Sequence, residues 1–252
     1  MDRLYRSCVT ELLGAFLLTF LSAGAICINA FLYTSQQPGI GWLGIALAHG
    51  IAITIAIAFT MSTSKGFANP VVTIALLFVG KIDSKRALYY VISQLLGAII
   101  AGFFLTVVFG YAGDVASSVG LGTPHSAEPL KKLFNRDMDL QLSALATLLE
   151  LLSTFGLVIA LFGLALDRRA PKWGWMGIGL VALGLSLFVG PMTGAAMNPA
   201  RYFGTAIWQA GILNDWSRLN DCYVYIIGPL LGAVLAAWIY TSYVMDEPTE
   251  AS

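Results

Sequence analysis

The chain has 252 residues, 58% of them hydrophobic and only 11% charged, with a net charge of zero. Soluble domains carry about a quarter charged residues, so this composition, with a mean hydropathy of +0.77, belongs to the membrane. The balanced charge gives no electrostatic footprint for nucleic acid, and the three cysteines (Cys8, Cys27, Cys222) match no metal or redox spacing.

Charge-free runs set the elements. Residues 12–64, 87–113 and 222–245 contain no Asp, Glu, Lys or Arg, while 140–166 hold only Glu150 and 173–214 only Arg201. A spanning helix needs roughly 20 apolar residues. Six spans are therefore predicted, near 8–31, 42–62, 87–110, 140–166, 173–190 and 222–245. The first is too long for a signal-peptide core and lacks a clear cleavage site, so it is expected to stay in the mature protein.

Between spans two and three stands Asn69-Pro70, and between spans five and six Asn198-Pro199. Asn is a strong N-cap, and Pro suits the first helical position, where no N–H is needed. Each pair predicts a helix start inside an apolar region, where the first N–H groups can be satisfied only at a cavity. The segments that follow, Pro70 to Val79 and Pro199 to Trp208, are ten residues each. At about 1.5 Å per residue each spans roughly half the hydrocarbon thickness.

The two halves repeat weakly. Glu11-Leu12-Leu13 in span one matches Glu150-Leu151-Leu152 in span four, and Gln94-Leu95-Leu96-Gly97-Ala98 resembles Pro229-Leu230-Leu231-Gly232-Ala233. Each half holds three spans and one Asn-Pro segment. Three is odd, so the second copy enters the membrane the other way up, as in inverted-repeat channels and transporters. The expected fold is all-α, with six transmembrane helices and two half helices. It forms one channel unit over 1–246, with repeats at roughly 7–112 and 140–245. An extracellular loop at 113–139 joins them, read as a solvated connector able to fold over the pore mouth, and 247–252 form a short tail. Nine of the Lys and Arg residues fall on one side (Arg3, Arg6, Lys65, Lys81, Lys85, Arg86, Arg168, Arg169, Lys172), against Lys131, Lys132, Arg136 and Arg218 on the other. The positive-inside rule places both termini in the cytoplasm.

Two helix N-termini aimed at one spot put roughly half a positive charge each at the centre and repel cations. Asn69 and Asn198 can offer N–H donors there. A passing water that accepts from both turns its hydrogens outward, which breaks a proton wire. Glu11 and Glu150 are costly inside apolar spans. They are expected to brace the non-helical backbone entering each half helix by accepting its N–H groups. Arg201 is an isolated intramembrane charge and is read as functional. No acid–base or metal cluster supports an enzyme, and no cofactor is implied.

These residues resemble one family closely, the aquaporins or major intrinsic proteins. The carrying motifs are Ser64-Lys65-Gly66-Phe67-Ala68-Asn69-Pro70-Val71 and Thr193-Gly194-Ala195-Ala196-Met197-Asn198-Pro199-Ala200-Arg201. Gln94 and Gly228-Pro229 also fit the family pattern. The resemblance implies a pore in every subunit, a homotetramer in the lipid bilayer, and a filter formed here by His49, Ser186, Ala195 and Arg201. Val71 stands where the family usually has Ala, and its added methyl groups are expected to crowd the junction of the half helices. Tyr202 and Ala206 replace the Asp and Lys or Arg of glycerol-conducting relatives and imply the water-type branch. The small filter partners of His49 imply a wider opening that also admits ammonia. The expected function is a passive channel for water and very small neutral solutes that excludes protons and ions. The alternatives are a glycerol and urea channel or a secondary transporter.

Overall fold

A computed structural model describes residues 3–64, 68–110, 119–126, 130, 132 and 139–245. Lys65, Gly66 and Phe67 of the first motif, most of the 113–139 loop and the 247–252 tail lie outside the described residues.

The described residues are helical, without a strand. The long helices are α1 (Arg3–Thr34), α2 (Gly41–Met61), α4 (Ser84–Phe109), α5 (Asp139–Leu161), α6 (Gly174–Thr193) and α9 (Cys222–Tyr243). The last turn of α5 widens into a π-helical stretch, Phe162–Leu166. Among the described residues six helices are long and apolar enough to cross a membrane. Two shorter helices, α3 (Pro70–Phe78) and α7 (Pro199–Leu213), follow the Asn-Pro pairs, and a four-residue α8 (Ser217–Asn220) precedes α9.

Local chemistry sets the ends. Asp83 caps α4, its Oδ1 accepting from the Arg86 N–H at 2.9 Å. Helix α3 stops where Gly80 turns left-handed (φ +69°) and Lys81 N–H donates back to Leu76 O at 2.8 Å. Helix α7 is longer than the ten residues expected for Pro199 to Trp208. It runs 15 residues, about 22 Å at 1.5 Å each, and ends at Asn214, which is left-handed (φ +50°). Gly211 lies within this extension but is not left-handed, so the helix runs on where Gly80 stops α3.

The same packing recurs in both halves. Helix α1 lies on α2 and α4, and α5 lies on α6 and α9; α2 meets α6, α7 packs on α4, and α3 packs on α9 and α4. Two glycines permit close approaches at equivalent places in the two halves. A Cβ at Gly97 of α4 would stand 2.1 Å from Leu12 O of α1, and one at Gly232 of α9 would stand 2.2 Å from Leu151 O of α5. Each touches the residue that follows a buried glutamate. Large apolar side chains such as Leu43, Ile51, Val108, Leu180, Phe188 and Leu231 face outward, which is stable in lipid and not in water.

The connector is not wholly solvated. Gly120–Thr123 are buried, and Leu121, with φ +54°, is fully enclosed. This segment rests on α1, α4 and α7. Pro124 sits against Gly194, so close that a Cβ there would come within 2.9 Å of the Pro124 Cα. Leu121 supplies the reason: an apolar side chain in a polar loop finds cover between helices.

Candidate functional site

The two short helices meet at their N-termini. Asn69 and Asn198 take extended backbone (φ −147° and −156°) and cap their own helices. Asn69 Oδ1 accepts from Val71 N–H at 3.2 Å; Asn198 Oδ1 accepts from Ala200 N–H at 2.9 Å and Arg201 N–H at 3.3 Å. Each amide nitrogen then reaches across. Asn69 Nδ2 donates to Met197 O at 2.8 Å, and Asn198 Nδ2 donates to Ala68 O at 2.9 Å. The residue before each Asn therefore accepts from the Asn of the other half. An amide carries two N–H donors, so each Asn keeps one beyond this crossing bond.

Both residues preceding the Asn are left-handed without being glycine, Ala68 at φ +53° and Met197 at φ +48°, and Ala195 is at φ +45°. Such backbone persists only where its surroundings over-determine it. The buried glutamates do so. Glu150, fully enclosed, accepts from Thr193 Oγ1 at 2.6 Å, Ala196 N–H at 3.0 Å and Met197 N–H at 2.8 Å. Glu11, equally enclosed, accepts from Ala68 N–H at 2.9 Å, from Gln94 Nε2 at 2.6 Å and from the Ser64 hydroxyl. Gln94 Nε2 also donates to Thr73 Oγ1 of α3 at 2.9 Å, which ties α1, α4 and α3 into one polar knot.

A narrow cavity runs through this centre. Leu18, His49, Ile53, Ile57, Asn69, Val72, Leu157, Leu161, Ala196, Met197 and Asn198 line it. Its walls are apolar except for the two Asn, one imidazole and loop backbone. His49 on α2 is buried, and the Arg201 guanidinium is close enough to act on it electrostatically. Arg201 is fully buried, and its Nε donates to Ser22 Oγ of α1 at 3.1 Å. Its Nη1 and Nη2 have no protein partner among the described residues, and neither does the buried Ser186 hydroxyl. Ser186, Ala195 and Arg201 do not line the cavity that reaches His49, although all three are buried. His49 and Arg201 thus lie within electrostatic reach of each other, and Ser186 is joined to neither by a hydrogen bond.

Val71 turns away from the pore. It lines an apolar groove with Pro70, Pro199 and Phe203, while the next residue, Val72, faces the cavity. The crowding expected at Val71 therefore falls outside the bore. Tyr202 and Ala206 also stand off the cavity. Tyr202 stacks on Tyr225 with ring centroids 4.6 Å apart and donates its hydroxyl to Arg218 O, and Ala206 packs in the same cluster. None of the three cysteines lines the cavity.

Several site residues escape sequence reading. Thr193, Thr73, Ser22 and the carbonyls of Ala68 and Met197 carry no distinctive signal, because Ser and Thr are common at helix contacts in membranes. The signal that could have found Leu18 and Leu157 is position: each follows its buried glutamate by seven residues.

Known proteins agree with this architecture. The family model described as "Major intrinsic protein" matches residues 2–240. Aquaporin AqpM of Methanothermobacter thermautotrophicus is 35% identical over 95% of this chain and 98% of its own length. Probable aquaporin TIP3-2 of Arabidopsis thaliana is 33% identical over 97% of this chain and 86% of its own length. The aquaglyceroporin structure from Plasmodium falciparum superposes with a TM-score of 0.80 at 21% identity, covering 96% of this chain and 97% of that one, which establishes the shared fold. With its two crossed Asn-Pro helices on a central cavity, and with a family match along almost its whole length, the chain belongs to the major intrinsic protein family, the aquaporins, whose members are membrane channels and not enzymes.

Proposed function

We propose that the cavity conducts water in single file, admits ammonia, and rejects glycerol, protons and ions. The observation that carries this reading is the crossing of the two Asn side chains. Each spends one N–H on the opposite loop and keeps one for the bore. Two donors at one point bind a water by its lone pairs and turn its hydrogens away, so proton hopping cannot continue through it. The positive ends of α3 and α7 add an electrostatic barrier to cations. Apolar walls at Leu18, Ile53, Ile57, Leu157 and Leu161 offer water no competing hydrogen bonds, which favours rapid passage.

His49 and Arg201 form the selective end in this reading. Arg201 repels cations and offers its two Nη groups to a passing oxygen or nitrogen. A neutral imidazole both donates and accepts, which suits water and ammonia. Ser186 and Ala195 favour a second reading, a pore wide enough for urea or glycerol, because both are small. A coupled transporter is less consistent with the site. Glu11 and Glu150, the acids within the described spans, already accept hydrogen bonds from the loops and from Gln94. Both termini in the cytoplasm and four identical subunits belong to the same proposal. Epitope accessibility in sealed vesicles tests the first, and native mass spectrometry the second.

Stopped-flow shrinkage of proteoliposomes tests the function. Fast, non-saturating water flux without ion current supports it. Flux that depends on an ion gradient, or glycerol entry as fast as water, rejects it.

A further inference from the structure

The two halves can be compared residue by residue around the cavity. Leu18 follows Glu11 by seven positions, Leu157 follows Glu150 by seven, and both line the cavity. One turn further, eleven positions after each glutamate, the halves diverge: α1 has Ser22 and α5 has Leu161. The short helices diverge in the same way. Three positions after Asn69 comes Val72, and three after Asn198 comes Arg201. Leu161 and Val72 are both apolar and both line the cavity. Their counterparts in the repeat, Ser22 of the first half and Arg201 of the second, are a hydroxyl and a guanidinium, bonded through Arg201 Nε to Ser22 Oγ at 3.1 Å.

From this exchange we infer that Ser22 is the positioning residue for Arg201, the group on α1 that fixes which way the guanidinium points. This rests on the reading of Arg201 as the cation guard. Ser22 is fully buried, and its own hydroxyl reaches Thr19 O only weakly, at 3.5 Å. That bond uses the hydroxyl proton and leaves the lone pairs available to Nε. Among the described residues Ser22 is the protein acceptor found for this guanidinium, since Nη1 and Nη2 have none. A planar guanidinium held at one edge by Nε has its two Nη groups fixed in direction. Without that anchor only packing holds the buried Arg201 side chain, and its charge is no longer fixed in direction.

The test compares Ser22→Ala, Ser22→Thr, Ser22→Cys, Arg201→Val and the double variant Ser22→Ala/Arg201→Val as purified channels in liposomes. The readout is proton leak divided by water flux, followed with a pH dye and by light scattering. Losing a hydrogen bond to a charged group shifts a conformational balance by about tenfold or more, so Ser22→Ala raises this ratio on the order of tenfold, up to the level of Arg201→Val. Ser22→Thr restores it, because the hydroxyl returns. Ser22→Cys preserves the volume with a weak acceptor, stands in if the alanine variant folds poorly, and leaks like it. In the double variant the serine change adds nothing, because its partner is already gone. A tight Ser22→Ala beside a leaking Arg201→Val overturns the inference and leaves the guard intact. So does an additive double variant, which would mean that Ser22 acts through packing. A tight Arg201→Val removes the guard reading itself, and the role of Ser22 with it.

Discussion

Replacing Glu150 by Gln isolates the brace of the second loop. The carboxylate accepts three hydrogen bonds, from Thr193 Oγ1 and from the N–H groups of Ala196 and Met197. A glutamine of the same shape has one acceptor oxygen. With that oxygen in place of Oε1, its NH2 faces the Met197 N–H, donor against donor. With it in place of Oε2, the NH2 faces the Ala196 N–H, and only the Thr193 hydroxyl can turn to accept. Either way one buried backbone N–H is left unsatisfied, at a cost of about 1–3 kcal/mol. The loop has no slack to absorb this, because Gly194, Ala195 and Met197 are all left-handed. For a chain of this size each kcal/mol moves the melting temperature by about 2–4 °C, so Glu150→Gln melts about 5 °C lower. Water flux falls with it, since Met197 O anchors Asn69. The assay is thermal unfolding in detergent with parallel proteoliposome shrinkage. Leu152→Ala serves as control, because Leu152 is 53% exposed on the outer face, and it should shift melting by less than about 2 °C. A Glu150→Gln channel that melts and conducts like the wild type would refute the reasoning.

Arg201→Val should admit protons or small cations, read as a collapse of an imposed pH gradient; an unchanged leak in well-folded protein removes its role. Water flux should persist in mercuric chloride, because no cysteine lines the cavity, whereas Val72→Cys, which puts a thiol on the cavity wall, should become inhibitable; strong inhibition of the wild type would mean that a thiol reaches the bore. Outside the membrane spans, Asp167 accepts two bonds from the Arg169 side chain and one from Tyr240, and Arg169 donates onward to Val244 O at 2.8 Å. The Arg169 bonds hold the Asp167 carboxyl well below the usual range. A depressed carboxyl stabilises above its unfolded value and loses that contribution as pH falls towards its folded value. Its contribution to melting should therefore stay constant from neutral pH to about pH 5 and fade only below about pH 4, and Asp167→Asn should erase that acid limb.

The six spans were legible because charge is excluded from a bilayer, and the runs without charge have the length of a span. The Asn-Pro pairs stood out for a second reason: a helix start is chemically conspicuous within apolar sequence. What these residues touch was not legible. The crossing bonds from Asn69 to Met197 O and from Asn198 to Ala68 O use carbonyls, which every residue possesses. The outward turn of Val71 depends on the rotation of α3 about its axis, and no residue near it fixes that rotation in sequence. The length of α7 was not legible, because Gly80 and Gly211 look alike in sequence, yet Gly80 turns left-handed and stops α3 while Gly211 stays within α7. Ser22 is an ordinary serine in an apolar helix until the two halves are laid side by side.

Solute size is the most direct test of the pore. His49 carries the one large ring among the four filter residues named from the sequence, and it lines the same cavity as both Asn. Liposomes holding wild type or His49→Ala are mixed with an excess of glycerol and followed by light scattering. The wild type should shrink rapidly and stay shrunken, since water leaves and glycerol does not enter. His49→Ala should shrink and then reswell as glycerol follows. If the wild type reswells as fast as the variant, His49 does not limit solute size and the channel is of the glycerol-conducting kind.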